Sequence, residues 1–124
     1  MSDPAGRRQS GLLIPLFSCP SSTSWGTGDI GDLVPMTAWL AGAGQRILQL
    51  LPINESAPGQ PSPYSAISSM AIDPIYIRVP DVPEFAALGG EASLTTADRE
   101  LLDAVRRATR IDYAGVRRLK RASL

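Results

Sequence analysis

Residues Gly44 to Pro74 read GQRILQLLPINESAPGQPSPYSAISSMAIDP, and the architecture of the chain turns on them. Ile47-Leu48-Gln49-Leu50-Leu51 is a short apolar run that predicts a buried strand. Pro52 closes it, because proline has no amide to donate to a sheet ladder. A polar, proline-rich loop follows, carrying Asn54, Glu55, Ser62, Tyr64, Ser65 and Ser68. In α/β proteins, ligands collect just outside the carboxyl ends of parallel strands. This loop is therefore the expected binding surface, with the remaining chain as its frame.

Upstream, GLLIPLF (residues 11–17) predicts a first strand over Leu12 to Leu16, although Pro15 sits poorly in a central strand. Ser18 to Gly31 is a long Ser-, Thr- and Gly-rich loop around Trp25. Asp32 reads as an N-cap, and Leu33, Met36, Leu40 and Ala43 form one apolar stripe at helical spacing. Pro35 falls in the first turn, where it is tolerated, and Gly42 and Gly44 supply a stop. Strand, helix and strand at this spacing make a βαβ unit with parallel strands, which places the chain in the α/β class.

Downstream, Ile75-Tyr76-Ile77-Arg78-Val79 alternates like a half-buried strand and ends at Pro80. Asp81 to Gly90 reads as a connector. Thr96 or Asp98 caps a helix reaching Ala108, with Leu101, Leu102 and Val105 facing inward. Asp112 caps a last helix, with Tyr113, Val116 and Leu119 along one face. Residues 1–10 are polar and read as a flexible N-terminus.

Composition narrows the classes. A chain of 124 residues, 44% hydrophobic and 19% charged, has room for one modest domain. Twelve basic residues balance twelve acidic ones, so net charge gives no reason to expect nucleic acid or an anionic membrane as a partner. One cysteine, Cys19, leaves no internal disulfide framework, and the absence of histidine removes imidazole from metal binding and acid–base work. No metal or cofactor is expected. The N-terminus lacks the apolar run of a signal peptide, and no apolar stretch approaches the roughly 20 residues that span a bilayer. The expected location is the cytoplasm.

Four patterns offer chemistry. Gly26-Thr27-Gly28-Asp29-Ile30-Gly31 matches the dinucleotide fingerprint G-x-G-x-x-G, and Glu55 lies near the offset of a ribose-binding acid. A phosphate cradle follows its strand immediately, however, and here a polar segment from Ser18 intervenes; the alternative is a turn that needs glycine for its backbone angles. In Ser62-Pro63-Tyr64-Ser65, prolines 58, 61 and 63 stiffen the loop, and Tyr64 offers a flat ring with a hydroxyl, a combination suited to a sugar. The alternative is a tyrosine that merely covers the strand end. Asp29, Asp32, Glu55 and Asp73 lie in or near loops, but no spacing pairs them as a hydrolase would, and capping or solvated roles are the simpler account. Arg106, Arg107, Arg110, Arg117, Arg118, Lys120 and Arg121 cluster near the C-terminus among acidic residues without interleaved aromatics, which reads as a solvated helix face.

Several of these segments together resemble the N-terminal part of the amylomaltases, the 4-α-glucanotransferases or disproportionating enzymes. They are Gly11-Leu12-Leu13, the Ser-Cys-Pro-Ser-Ser run, Trp25 to Asp32, Gly44-Gln45-Arg46, Gln49-Leu50-Leu51-Pro52 and Ser62-Pro63-Tyr64. Ser68 to Pro74 is similar to the family's Ser-Ala-Phe-Ala-x-Asn-Pro stretch, with substitutions, and Ile111-Asp112-Tyr113 before a basic helix is similar to its next segment. The resemblance implies the first strand, first helix and second strand of a (β/α)₈ barrel, followed by a family-specific helical insertion. It implies that Ser62 and Tyr64 line a site for maltooligosaccharide or α-1,4-glucan, with Ser65 and Asn54 as weaker candidates.

The family's retaining mechanism uses an Asp nucleophile, a Glu acid/base and a second Asp, all from later strands, and none of those motifs occurs here. A whole barrel takes roughly 250 residues. Residues 11–124 are thus expected to be an incomplete N-terminal fragment of the catalytic domain, inactive alone and poorly stable. Two other functions stay open: a nucleotide-binding α/β module using Gly26, Gly28 and Gly31, and a non-catalytic glucan-binding domain.

Overall fold

The computed structural model describes residues 8–60 and 62–124. Strands β1 (Gly11–Ile14) and β2 (Ile47–Leu50) pair in parallel, with Gly11 opposite Ile47 and Ile14 opposite Leu50. The ladder runs slightly further at both ends. The Arg46 amide donates to the Ser10 carbonyl at 2.8 Å, and the Leu51 amide to the Ile14 carbonyl at 2.9 Å. A Cβ on Gly11 would lie 2.0 Å from the Ile47 carbonyl oxygen, so glycine is what allows the strands to close here.

The first strand is shorter than the expected Leu12–Leu16. Pro15 has no amide to donate, and Leu16–Ser18 turns away in a 3₁₀ helix that buries Leu16. Residues 1–7 of the expected flexible N-terminus, and Pro61 of the stiffened loop, lie outside the described residues.

Helix α1 (Leu33–Gly42) connects the two strands, burying Leu40 and half-burying Leu33 and Met36. Ala43, the last residue of the expected stripe, is exposed. The expected N-cap at Asp32 is not formed: α1 has no side-chain cap bond. The Asp32 carboxylate instead accepts from the Asp29 amide at 2.9 Å and the Ser24 hydroxyl at 2.7 Å. Gly44 ends the element at φ +76°, a conformation that favours glycine.

The expected third strand is absent. Pro74–Tyr76 and Val79–Asp81 are single 3₁₀ turns. The Lys120 ammonium donates to the carbonyls of Ile75 and Ile77 at 2.5 and 2.7 Å, taking the acceptors that a neighbouring strand would have used. Ile75, Tyr76 and Val79 are buried nonetheless, so the apolar run lies in the core, but its alternation does not hold: the adjacent Ile75 and Tyr76 are both buried and Ile77 is only half-buried, as a turn rather than a strand places them.

The expected connector also has structure of its own. Helix α2 (Pro83–Ala87) buries Phe85, and Gly90–Ser93 forms a 3₁₀ turn. Helix α3 (Thr96–Arg107) is capped by Thr95, one residue ahead of the expected start, whose hydroxyl accepts from the Asp98 amide at 3.1 Å. Helix α4 (Tyr113–Ser123) is capped by Asp112 as expected, with the Gly115 amide 2.9 Å away.

The core comprises Leu16, Trp25, Ile75, Tyr76, Val79, Phe85, Leu102, Val105, Val116 and Leu119. Trp25 and Phe85 meet edge-to-face at 5.6 Å. This core lies among the loops and helices α2 to α4; of the strand residues only Leu50 packs against it. Leu12, Leu13 and Ile47 on the sheet and Val34 and Trp39 on α1 are exposed. Among the described residues no helix is long and apolar enough to cross a membrane.

Candidate functional site

The loop after β2 folds back on itself. Asn54 bridges Ile72 and Ser56 bridges Ala66, both antiparallel. The Glu55 amide donates to Ala71, the Ile67 amide to Glu55 and the Asp73 amide to Ile53, at 2.9–3.0 Å. The two arms are therefore zipped by backbone bonds and do not depend on proline stiffness alone. At the tip, the Ser65 amide donates to the Ser62 carbonyl at 3.1 Å and the Tyr64 amide to the Ser62 hydroxyl at 3.3 Å. The Tyr64 side chain stands out from this turn, 72% exposed. The Asn54 side chain donates to the Ser69 carbonyl at 3.0 Å and ties the base of the loop.

Between this loop and α4 lies a cavity of about 400 Å³, lined by Phe17, Asn54, Pro63, Tyr76, Tyr113 and Arg117 among others. Of the four residues expected at the site, Asn54 lines the cavity. Ser62 and Ser65 sit half-buried in the adjoining turn, and Tyr64 lies on the outside of it. Phe17, Tyr113 and Arg117 arrive from segments far away in sequence, and no local pattern linked them to the loop. The one available signal was an aromatic residue after a strand and another at a helix start.

Arg117 grips Asp73 with two bonds of 2.7 and 2.6 Å. Asp73 is 2% exposed and also accepts from the amides of Ile75 and Ser56. Burial pushes the Asp73 carboxyl up, but the Arg117 guanidinium and the two amides more than offset it, holding the acid below its ordinary range. Asp73 is thus a charged strut at neutral pH and not a proton donor. Burial, helped by the nearby Asp73 charge, pushes the Tyr76 hydroxyl up to about 12, so it stays neutral and is available as a donor.

The glycine-rich segment is a packed corner of this same frame. Gly26 has φ +78°, and a Cβ on Gly28 would lie 2.0 Å from the Leu16 carbonyl oxygen. A Cβ on Gly31 would lie 1.9 Å from Nε of Arg78. Arg78 pairs with Asp29 at 2.8 Å and with Asp32, and donates to the Thr23 hydroxyl at 2.8 Å. Trp25 donates to Glu91 at 2.9 Å, and Arg106 holds the same carboxylate with two bonds. The glycines therefore face Val105, this chain's own backbone and a guanidinium, not an open cradle.

Two readings of charge are corrected by these pairs. Asp29, Asp32 and Asp73 are neither solvated nor simple caps but buried partners of arginines. The C-terminal basic cluster is not wholly a solvated face, since Arg106, Arg117 and Lys120 reach inward. Among the described residues no group of three His, Cys, Asp or Glu side chains is placed to hold a metal ion.

A family model described as 4-alpha-glucanotransferase matches residues 14–124. The chain belongs to that family. It is 42% identical over 73 residues to a 4-alpha-glucanotransferase of Chlamydia caviae, covering 59% of this chain and 14% of that protein. It is 39% identical over 94 residues to a 4-alpha-glucanotransferase of Mycobacterium tuberculosis, covering 68% of this chain and 13% of the relative. Its structure matches the amylomaltase from Corynebacterium glutamicum with a TM-score of 0.74 at 33% identity, over 92% of this chain and 18% of that one. The chain thus spans about a seventh of the length of the curated relatives it matches. The βαβ unit, the zipped loop and the helices after it are together a portion of the 4-alpha-glucanotransferase fold.

Proposed function

We propose that this chain supplies the first strand, first helix and second strand of a (β/α)₈ barrel, and that the loop after β2 is one wall of its α-1,4-glucan site. The protein of which it is part moves α-1,4-glucan segments between maltooligosaccharides. The observation that carries this reading is the cavity at the carboxyl end of two parallel strands, the position at which barrels bind their substrates. Tyr64 offers an exposed ring for the C–H face of a glucose unit, while Asn54, Ser62 and Ser65 meet its hydroxyls.

The acids of a retaining mechanism need freedom to act as nucleophile and as proton donor. Asp29, Asp32 and Asp73 are held by arginines and are not free for these roles, and we place the reacting acids in polypeptide outside these residues. The role of this chain is to position the sugar.

Calorimetric titration of the chain with maltohexaose, beside a dinucleotide, tests the proposal. Binding of the sugar, weakened about tenfold in Tyr64→Ala as befits loss of an aromatic contact, is the expected result. A chain that binds the dinucleotide and ignores the sugar contradicts it.

A further inference from the structure

The backbone bonds that zip the β2 loop all run from one part of the loop to another. The Glu55 amide reaches Ala71, the Ile67 amide reaches Glu55 and the Asp73 amide reaches Ile53. None of these ties the loop to a helix. Among the described residues, the hydrogen bonds that do so are the two from Arg117 of α4 to the Asp73 carboxylate.

That carboxylate stands at a junction. Its Oδ2 accepts from the Ser56 amide on the outgoing arm at 3.3 Å, and its Oδ1 from the Ile75 amide just past the return arm at 3.0 Å. Arg117 bonds the same two oxygens, so the planar guanidinium fork fixes the carboxylate in orientation as well as position. Ser56 is in turn bridged to Ala66, the residue after Ser65. A linkage therefore runs from α4 through Asp73, Ser56 and Ala66 to the turn that presents Ser62, Tyr64 and Ser65.

Asp73 and Arg117 both line the cavity between the loop and α4, as does Tyr113 one helical turn earlier. The pair spans from one wall to the other and sets how far apart they stand. An exposed ion pair would be too weak for this task. Asp73 is 2% exposed, however, and removing its guanidinium partner leaves a buried charge short of donors. A loop that must be ordered at the moment of binding loses affinity by that ordering.

We propose that Arg117 is a positioning residue of the glucan site: by gripping Asp73 it holds the β2 loop at a fixed spacing from α4, so that Ser62, Tyr64 and Ser65 are in place before the sugar arrives. This rests on the glucan reading above and adds to it a residue that acts through another.

Calorimetry with maltohexaose and amide hydrogen exchange on the 124-residue chain test the proposal, with folding of each variant checked by circular dichroism. Arg106→Gln is the matched control, because Arg106 also holds a carboxylate, Glu91, with two bonds but does so from α3, away from the loop. Arg117→Gln is expected to speed exchange of the Glu55 and Ile67 amides and to weaken maltohexaose about tenfold. Arg117→Lys, which keeps the charge without the fork and is the milder change to the fold, should fall between. Asp73→Asn combined with Arg117→Gln should bind no more weakly than Arg117→Gln alone, since the two residues act as one link. Arg106→Gln should lower stability and leave maltohexaose affinity unchanged. If Arg117→Gln binds maltohexaose as the unchanged chain does, or Arg106→Gln weakens it equally, Arg117 is merely structural and the proposal is overturned while the glucan site stands. If the unchanged chain does not bind maltohexaose, the glucan reading fails and the positioning role with it.

Discussion

The Cβ position of Gly31 lies 1.9 Å from Nε of Arg78, so glycine here is what lets the guanidinium reach Asp29 and Asp32. The contact joins the loop after β1 to the segment before α2, which are otherwise distant in sequence. Gly31→Ala must push the guanidinium off two buried carboxylates. The expected cost is about 1–3 kcal/mol, the range for overpacking a well-filled site. Urea denaturation would register it as a lower midpoint at unchanged slope. A midpoint equal to that of the unchanged chain would show that Arg78 has another rotamer open to it.

Asp73 and Arg117 contribute to the acid limit of the fold, beside Asp32 and Glu91, which are also held below their ordinary range. The folded pKa of Asp73 is depressed, so its contribution is present above the unfolded value of about 3.9 and is lost as pH falls through the folded one. Thermal melts stepped from pH 7 down to pH 2 should show a falling Tm, and Asp73→Asn should flatten that fall. At pH 7 the same substitution leaves Arg117 without its partner and weakens the bonds from the amides of Ile75 and Ser56. The expected loss there is about 1–3 kcal/mol. An equally steep acid limb in the variant would assign the effect to another carboxylate.

At alkaline pH the sign reverses in origin but not in direction. Burial pushes Lys120 down to about 8 from an ordinary 10.5, so the unfolded chain binds more protons between those values. Stability therefore rises with pH from about 8 to 10.5, and below 8 the protonated lysine carries its full desolvation cost. Lys120→Met should abolish that rise. It should also cost about 1–3 kcal/mol near pH 7, because the carbonyls of Ile75 and Ile77 lose their donor. Tm measured at pH 7, 9 and 10.5 in both proteins distinguishes the two effects.

Lys120 also explains what could not be read from the residues in order. Ile75 to Val79 has strand periodicity, and nothing within five residues shows that a lysine on the last helix will take its carbonyls. The pairings of Arg78 with Asp29, of Arg106 with Glu91 and of Arg117 with Asp73 are equally remote, the nearest being fifteen residues apart. What could be read rests on local rules. The apolar run before Pro52 gave β2, the spacing of Leu33, Met36 and Leu40 gave α1, and Asp112 gave the start of α4. The position of Asn54 beside the cavity was legible because it follows a strand end. Phe17 and Tyr113 were not, since only the tertiary packing brings them together.

The outward faces of the βαβ unit yield the last prediction. Leu13 on β1 and Trp39 on α1, 66% exposed, belong to apolar surface that the core beneath α2 to α4 does not use. In the barrel proposed above, neighbouring strands and helices cover these faces. In the 124-residue chain they meet water, and a two-stranded sheet offers unpaired edges as well. The chain should therefore bind a hydrophobic dye and self-associate at micromolar concentration, as read by fluorescence and sedimentation velocity. Leu13→Lys with Trp39→Lys should suppress both. Because neither side chain is buried, the substitutions should change the unfolding free energy of the monomer by no more than about 0.5 kcal/mol. A loss of helical circular dichroism in the double variant would mean that these faces already stabilise the isolated chain, and the case for their being covered by further barrel elements would weaken accordingly.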